Sequence, residues 1–125
     1  MNSMALPIPP KEAIFYEDDY VYACLASHPL ADGHSVVVWK EHKQDLSELN
    51  KTEYTHLMNV VDQVRNALIS TLAVEKVYLM YLDEVKHVHW HLIPAHNHDG
   101  LNVLQHKPAE LKDFSLAEKI RTELV

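Results

Sequence analysis

His87-Val88-His89-Trp90-His91-Leu92-Ile93-Pro94 is the stretch on which the reading of this chain turns. Along a β-strand successive side chains alternate between faces. Read as a strand over residues 87–93, the segment projects its three histidines to one side, about 7 Å apart. Val88, Trp90 and Leu92 then face a core, and Pro94 ends the strand because it has no N–H to donate. Three same-face imidazoles are costly as mere structure. Each needs a polar partner, and crowding penalises the charged forms. Neutral imidazoles result, and a neutral imidazole is a nucleophile or a ligand.

Three readings of that cluster compete. A His-x-His pair on a strand is a workable half-site for zinc, and His96 and His98 follow close behind. Against it, no cysteine is at hand and no carboxylate stands at familiar ligand spacing. Alternatively, a central imidazole attacks an electrophilic phosphorus while its neighbours orient it and handle protons. The third reading is a histidine-rich surface strand without chemistry, since short motifs match by chance.

Working outward, residues 77–82 form the preceding strand, joined to the histidine strand by Asp83-Glu84-Val85-Lys86. Upstream, Tyr54, Leu57, Met58, Val61, Val64 and Leu68 recur at spacings of three and four, which predicts an amphipathic helix over residues 52–72. Asn50 with Glu53 makes a capping box at its start. Val36, Val37 and Val38 give residues 35–39 the β-branched character of a covered strand. Residues 14–16 and 20–25 read as two short strands around the turn Glu17-Asp18-Asp19, and residues 29–33 as a loop. Pro7, Pro9 and Pro10 make an extended lead-in. Residues 95–112 have no clean period, and Ser115 with Glu118 resembles a second capping box before a short C-terminal helix. Strands segregated from one long helix predict an α+β domain with an antiparallel sheet, spanning residues 1–125.

Composition narrows the function. The chain has 125 residues, with 18 acidic against 11 basic side chains and a formal charge of −7. That balance repels phosphate polymers and argues against a general nucleic-acid binder, yet leaves room for a small nucleotide in a local pocket. Cys24 is the single cysteine, so no internal disulfide forms; it reads as a buried strand residue. The N-terminus lacks the pattern of a signal peptide and no apolar run approaches a membrane span, so the expected location is the cytoplasm, with no membrane partner.

The segment HVHWHLI resembles the signature of the histidine-triad family, His-φ-His-φ-His-φ-φ with φ apolar. The likeness extends over residues 14–94. IFYEDDYVYACLASHPLADGHSVVVWKEH is similar to the family's N-terminal half, and DLSEL fits the approach to its helix. The resemblance implies a histidine-triad-like antiparallel sheet of about five strands, one long helix, a short C-terminal helix, and usually a homodimer. It also implies hydrolysis at a nucleotide α-phosphorus, of a nucleoside phosphoramidate or dinucleoside polyphosphate, without metal or cofactor. His89 would be the nucleophile that forms a nucleotidyl-histidine. His87 and His91 would flank it, with His34 as the family's fourth histidine and His42 as a further recurrent one.

Substrate contacts are expected at Ser27, His42, Lys86 and Trp39. The ribose-bonding position falls near Ala26 or Ser27, and only the serine can make that bond. Trp39 stands where the family often has proline, and either lines a base pocket or packs. Asp83-Glu84-Val85-Lys86 replaces the family's Gly-Gln-Ser or Gly-Gln-Thr, so the two carboxylates should weaken polyphosphate binding, with Lys86 able to compensate. A different class of function on the same fold is a non-catalytic nucleotide- or ligand-binding protein. His28, His96, His98 and His106 read as solvated. Tyr54, Met58 and Val61 serve either the core or a dimer interface.

Overall fold

The computed structural model describes residues 6–82, 85–96 and 100–124. Five strands form one antiparallel sheet: β1 (Ile14–Glu17), β2 (Val21–Leu25), β3 (Ser35–Trp39), β4 (Val77–Tyr81) and β5 (His89–Pro94), in the order β1-β2-β3-β5-β4. The long helix α1 (Lys51–Leu72) joins β3 to β4, and α2 (Ser115–Glu123) closes the described chain. This is the α+β architecture expected.

Register decides what each face carries. Ala23 pairs with Val37 and Val37 with Trp90, so all three point to the same side. There Val21, Ala23, Val37, Trp39 and Leu92 merge into a core with Leu57, Val60, Val61, Val64 and Leu68 of α1. Ala117 and Ile120 of α2 complete it. Each fully buried aliphatic side chain contributes about 1.5–3 kcal/mol, so this face holds the fold together. One position over, Val36 pairs with His91 and Val38 with His89. Those four, with Tyr22 and Cys24, therefore line the opposite face.

The capping box of α1 is present. The Asn50 side chain accepts from the Glu53 N–H at 2.8 Å, and Glu53 accepts from the Asn50 N–H at 2.9 Å. The second one is not. α2 begins at Ser115 after an N-cap Phe114 that makes no side-chain cap. Asp113 accepts the Ser115 N–H at 2.9 Å instead, because a carboxylate is the stronger acceptor for an exposed helix-end donor. The β1–β2 turn is also locked to α1: Asp18 accepts from the Tyr20 and Val21 N–H groups, the Tyr16 hydroxyl and His56 of α1.

β5 starts at His89, two residues later than the alternation predicts. Lys86 takes a left-handed φ of 52°. Val88 bonds to the end of β3 and to the loop beyond it: its carbonyl accepts from Trp39 at 3.1 Å and its N–H donates to the Lys43 carbonyl at 2.9 Å. His87 therefore stands just outside the ladder, at the mouth of the histidine face.

Candidate active site

Four histidines come together on the face opposite α1, and every hydrogen atom among them follows from its partners. The Leu30 N–H donates to His34 Nδ1 at 3.0 Å. A nitrogen that accepts carries no proton, so neutral His34 is protonated at Nε2. His34 Nε2 lies 3.0 Å from His91 Nδ1, and it must be the donor. His91 then carries its own hydrogen on Nε2. Nearby, His89 Nδ1 donates to the His87 carbonyl at 2.7 Å. A carbonyl only accepts, so in neutral His89 the lone pair resides on Nε2. His87 in turn donates from Nε2 to the Trp39 carbonyl at 2.7 Å.

Burial keeps His34 and His91 neutral. His34 is 4% exposed and His89 5%. Desolvation first, and the neighbouring His91 second, push the His34 pKa down to about 3. Desolvation and His89 push His91 down to about 4. His34 and His91 are therefore unprotonated at neutral pH, with the His91 Nε2–H turned toward His89. The His89 and His91 ring centroids are 5.0 Å apart, a spacing at which both can address one phosphorus centre.

His34 owes its position to Gly33. That glycine has a φ of 87°, and a Cβ there would come within 2.6 Å of the Leu72 side chain. A tight left-handed turn against the end of α1 thus swings the histidine under β5.

A cavity of about 160 Å³ opens beside His34, His89 and His91. Its walls are Tyr22, Cys24, Val36 and Val38 of the sheet, the Ala26-Ser27-His28 rim, and Leu6, Pro7, Pro9 and Pro10. The proline segment lies across the sheet face as a strap, and its fixed φ angles reduce the entropy lost in holding it there. On its far side a wider hollow of about 630 Å³ runs to Lys40, His42 and His87. Burial raises the Cys24 thiol to about 12, so it stays protonated and serves as a small apolar wall.

The sequence-derived candidates divide accordingly. His34 and His91 are hydrogen-bonded, His89 sets its ring edge-on against that of His91, and His87 is joined to His89 through its backbone carbonyl. Ser27 reaches the cavity rim, where its hydroxyl meets His28 Nδ1 at 3.3 Å. His42 is exposed, lines the wider hollow, and sets its ring against that of His87 at 5.3 Å. Two expectations are corrected. The Trp39 side chain does not line a base pocket: it is 2% exposed, packs on the α1 side of the sheet, and stacks on Tyr20 at 5.8 Å. The strand period places it there, opposite Val38. Lys86 occupies the exposed left-handed turn and lines neither cavity. Asp83, Glu84 and His98 lie outside the described residues. His96 is exposed but not merely solvated, since its Nε2 donates to the Asp32 carbonyl at 2.6 Å. Among the described residues no three His, Cys, Asp or Glu side chains are grouped to hold a metal ion.

Four contributors escaped the sequence reading. Tyr22 and Cys24 were readable, because alternation along β2 puts both on the histidine face. The Leu30 N–H and the proline strap were not, since backbone donors and irregular segments leave no periodic signal.

The HIT domain model matches residues 10–98. The chain belongs to the histidine-triad (HIT) family. It is 30% identical over 114 residues to a HIT-like protein of Borreliella burgdorferi, covering 81% of this chain and 82% of that one. To the adenosine 5′-monophosphoramidase of Saccharomyces cerevisiae it is 30% identical over 111 residues, covering 87% of this chain and 70% of the yeast protein. A HIT-like protein of Bartonella henselae has the same fold, with a TM-score of 0.76 at 23% identity over 90% of this chain and 86% of that one. In this HIT protein the matched region holds all four clustered histidines and the loop that positions them.

Proposed function

We propose that this HIT protein hydrolyses a nucleotide at its α-phosphorus through a covalent intermediate on His89. The observation that carries the reading is the hydrogen-bond wiring: with Nδ1 held on the His87 carbonyl, neutral His89 has its lone pair on Nε2, beside the N–H on His91 Nε2. His89 Nε2 attacks phosphorus, the P–N or P–O bond to the leaving group breaks, and the leaving group takes a proton from water. The imidazole becomes a cation, and the His87 carbonyl already bonded to Nδ1 stabilises that charge. His91 Nε2–H donates to a non-bridging oxygen as negative charge gathers there. Water then attacks the same phosphorus, His89 Nε2 leaves with its lone pair restored, and a nucleoside monophosphate departs.

The monophosphoramidase activity named for the yeast relative makes adenosine phosphoramidate the first substrate to test. Within this reading the small apolar cavity takes the base, Ser27 meets the ribose, and the domain acts as a homodimer without metal. One observation favours a non-catalytic binding role instead: Ala26, at the rim, offers only a methyl group where a ribose acceptor is expected. Incubation with adenosine and guanosine phosphoramidates and dinucleoside polyphosphates, with rapid acid quench and intact-mass detection, separates the two. A mass gain of one nucleotidyl group on wild type, absent from His89→Ala, supports hydrolysis. No turnover and no adduct with any member of the panel refutes it.

A further inference from the structure

The C-terminal segment before α2 touches the histidine cluster through one peptide group. The Ala109 N–H donates to the Pro29 carbonyl at 2.9 Å. The same Pro29–Leu30 peptide donates its N–H to His34 Nδ1 at 3.0 Å. Two further bonds clamp the loop on either side: Leu111 N–H to the Ser27 carbonyl at 2.9 Å, and His106 Nδ1 to the Leu30 carbonyl at 3.2 Å. The bonds form one line: Ala109 N–H, the Pro29–Leu30 amide, His34, His91. Donation to a carbonyl polarises its amide and strengthens what the N–H then gives, so the chain is cooperative in one direction.

We propose that residues 106–111 act as a positioning clasp that holds the Pro29–Leu30 peptide and thereby fixes the tautomer of the His34–His91 pair, with Ala109 N–H as the principal positioning group. The clasp makes no contact with the reacting atoms. Its effect is on which nitrogen holds the proton. If the Pro29–Leu30 peptide rotates, His34 Nδ1 loses its donor and the tautomer with hydrogen on Nδ1 becomes accessible. His34 then presents a lone pair to His91 Nδ1, where two lone pairs repel unless His91 also switches. A switched His91 has no hydrogen on Nε2 to give to a phosphate oxygen. Loop geometry remote from the triad thus governs the donor that faces the substrate. The consequence for turnover rests on the hydrolase reading; the consequence for the tautomer does not.

The test removes one N–H. An amide-to-ester exchange at position 109, made in the full-length chain, deletes the donor and keeps the side chain. Ala109→Pro deletes it by ordinary mutagenesis, and Ala109→Gly keeps it as the control. Long-range proton–nitrogen NMR without substrate reads the ring nitrogens of His34 and His91. Wild type and Ala109→Gly should show His34 unprotonated at Nδ1 and protonated at Nε2. The ester and Ala109→Pro should shift both toward the averaged values of mixed tautomers. With a turned-over phosphoramidate, kcat should fall by about threefold to tenfold at nearly constant KM, as loss of one ordering hydrogen bond implies. Unchanged ring nitrogens in the ester overturn the proposal whatever the activity. An equal NMR change in Ala109→Gly overturns it too, because chain stiffness rather than the N–H would be responsible. An absence of turnover in wild type defeats the hydrolase reading while leaving the NMR outcome to decide the clasp.

Discussion

Acidification should unfold this protein well before its carboxylates titrate, and the buried histidines set the size of the effect. In the unfolded chain a histidine titrates near 6.5; in the fold His34 is held at about 3 and His91 at about 4. Between those limits the unfolded state binds protons that the native state does not, so stability falls as pH falls. The slope is about 1.4 kcal/mol per pH unit for each histidine. Going from about pH 6.5 to about pH 4.5, His34 removes about 2 kcal/mol and His91 a similar amount. Their sum approaches the lower end of the stability of a small domain, about 5–15 kcal/mol. Asp18 adds a later loss. Burial would raise its pKa, but bonds from Tyr16, Tyr20, Val21 and His56 hold it at about 2, so its contribution is present above the ordinary carboxylate pKa and disappears below it. Urea unfolding followed by tryptophan fluorescence at a series of pH values reads this directly. The midpoint should drop steeply below pH 6.5, and a His34→Gln, His91→Asn double variant should lose most of that slope. A wild-type midpoint that stays level between pH 7 and pH 4.5 would refute the reasoning, because the two imidazoles could not then be neutral and buried as described.

Four further outcomes are expected. His89→Ala should leave the far-ultraviolet spectrum unchanged and lower kcat/KM by several orders of magnitude, checked on the best phosphoramidate found; a near-wild-type rate would remove His89 as nucleophile. Dialysis against a strong chelator should leave activity intact, since no metal enters the proposed steps; loss that zinc restores would reverse that expectation. Light scattering at micromolar concentration should give twice the monomer mass, with β4 at the sheet edge and its exposed Leu79 as the region where Leu79→Lys shifts the protein toward monomer. Gly33→Ala should cost roughly 1–3 kcal/mol in chemical unfolding, from the positive φ and the Leu72 clash, and should cut turnover as well because His34 moves with the turn.

Much of the fold was legible because its elements announce themselves locally. Leu57, Val61, Val64 and Leu68 of the predicted stripe are buried in α1, joined by Val60 and Ala67, while Tyr54 is exposed, and Asn50 with Glu53 marks its start. The strand runs follow their β-branched and alternating patterns. What failed were places where a tertiary bond outranked the local pattern. His87 leaves the ladder because Val88, after its last bond to Trp39 of β3, donates to Lys43 in the loop beyond. Asp113 takes the cap that Ser115 seemed to own. The site was legible in its residue types but not in its wiring. Four of its histidines could be named from the motif and its surroundings, whereas the Leu30 N–H that decides their protons belongs to a loop with no pattern. Trp39 was misplaced because a family position was read without counting the strand parity that puts it opposite Val38.

The proline strap carries a practical consequence for anyone handling the protein. Leu6, Pro7 and Pro9 are walls of both hollows on the histidine face, so a purification tag fused ahead of them hangs its linker at the entrance to the site. Such a tag would compete for the apolar surface that the proposed reading gives to a nucleobase and would drag on the strap that shapes it. Rates gathered on an N-terminally tagged preparation would then describe the tag as much as the protein. The opposite end is safer ground: α2 packs against α1 and β1, on the side of the sheet that the histidines do not see.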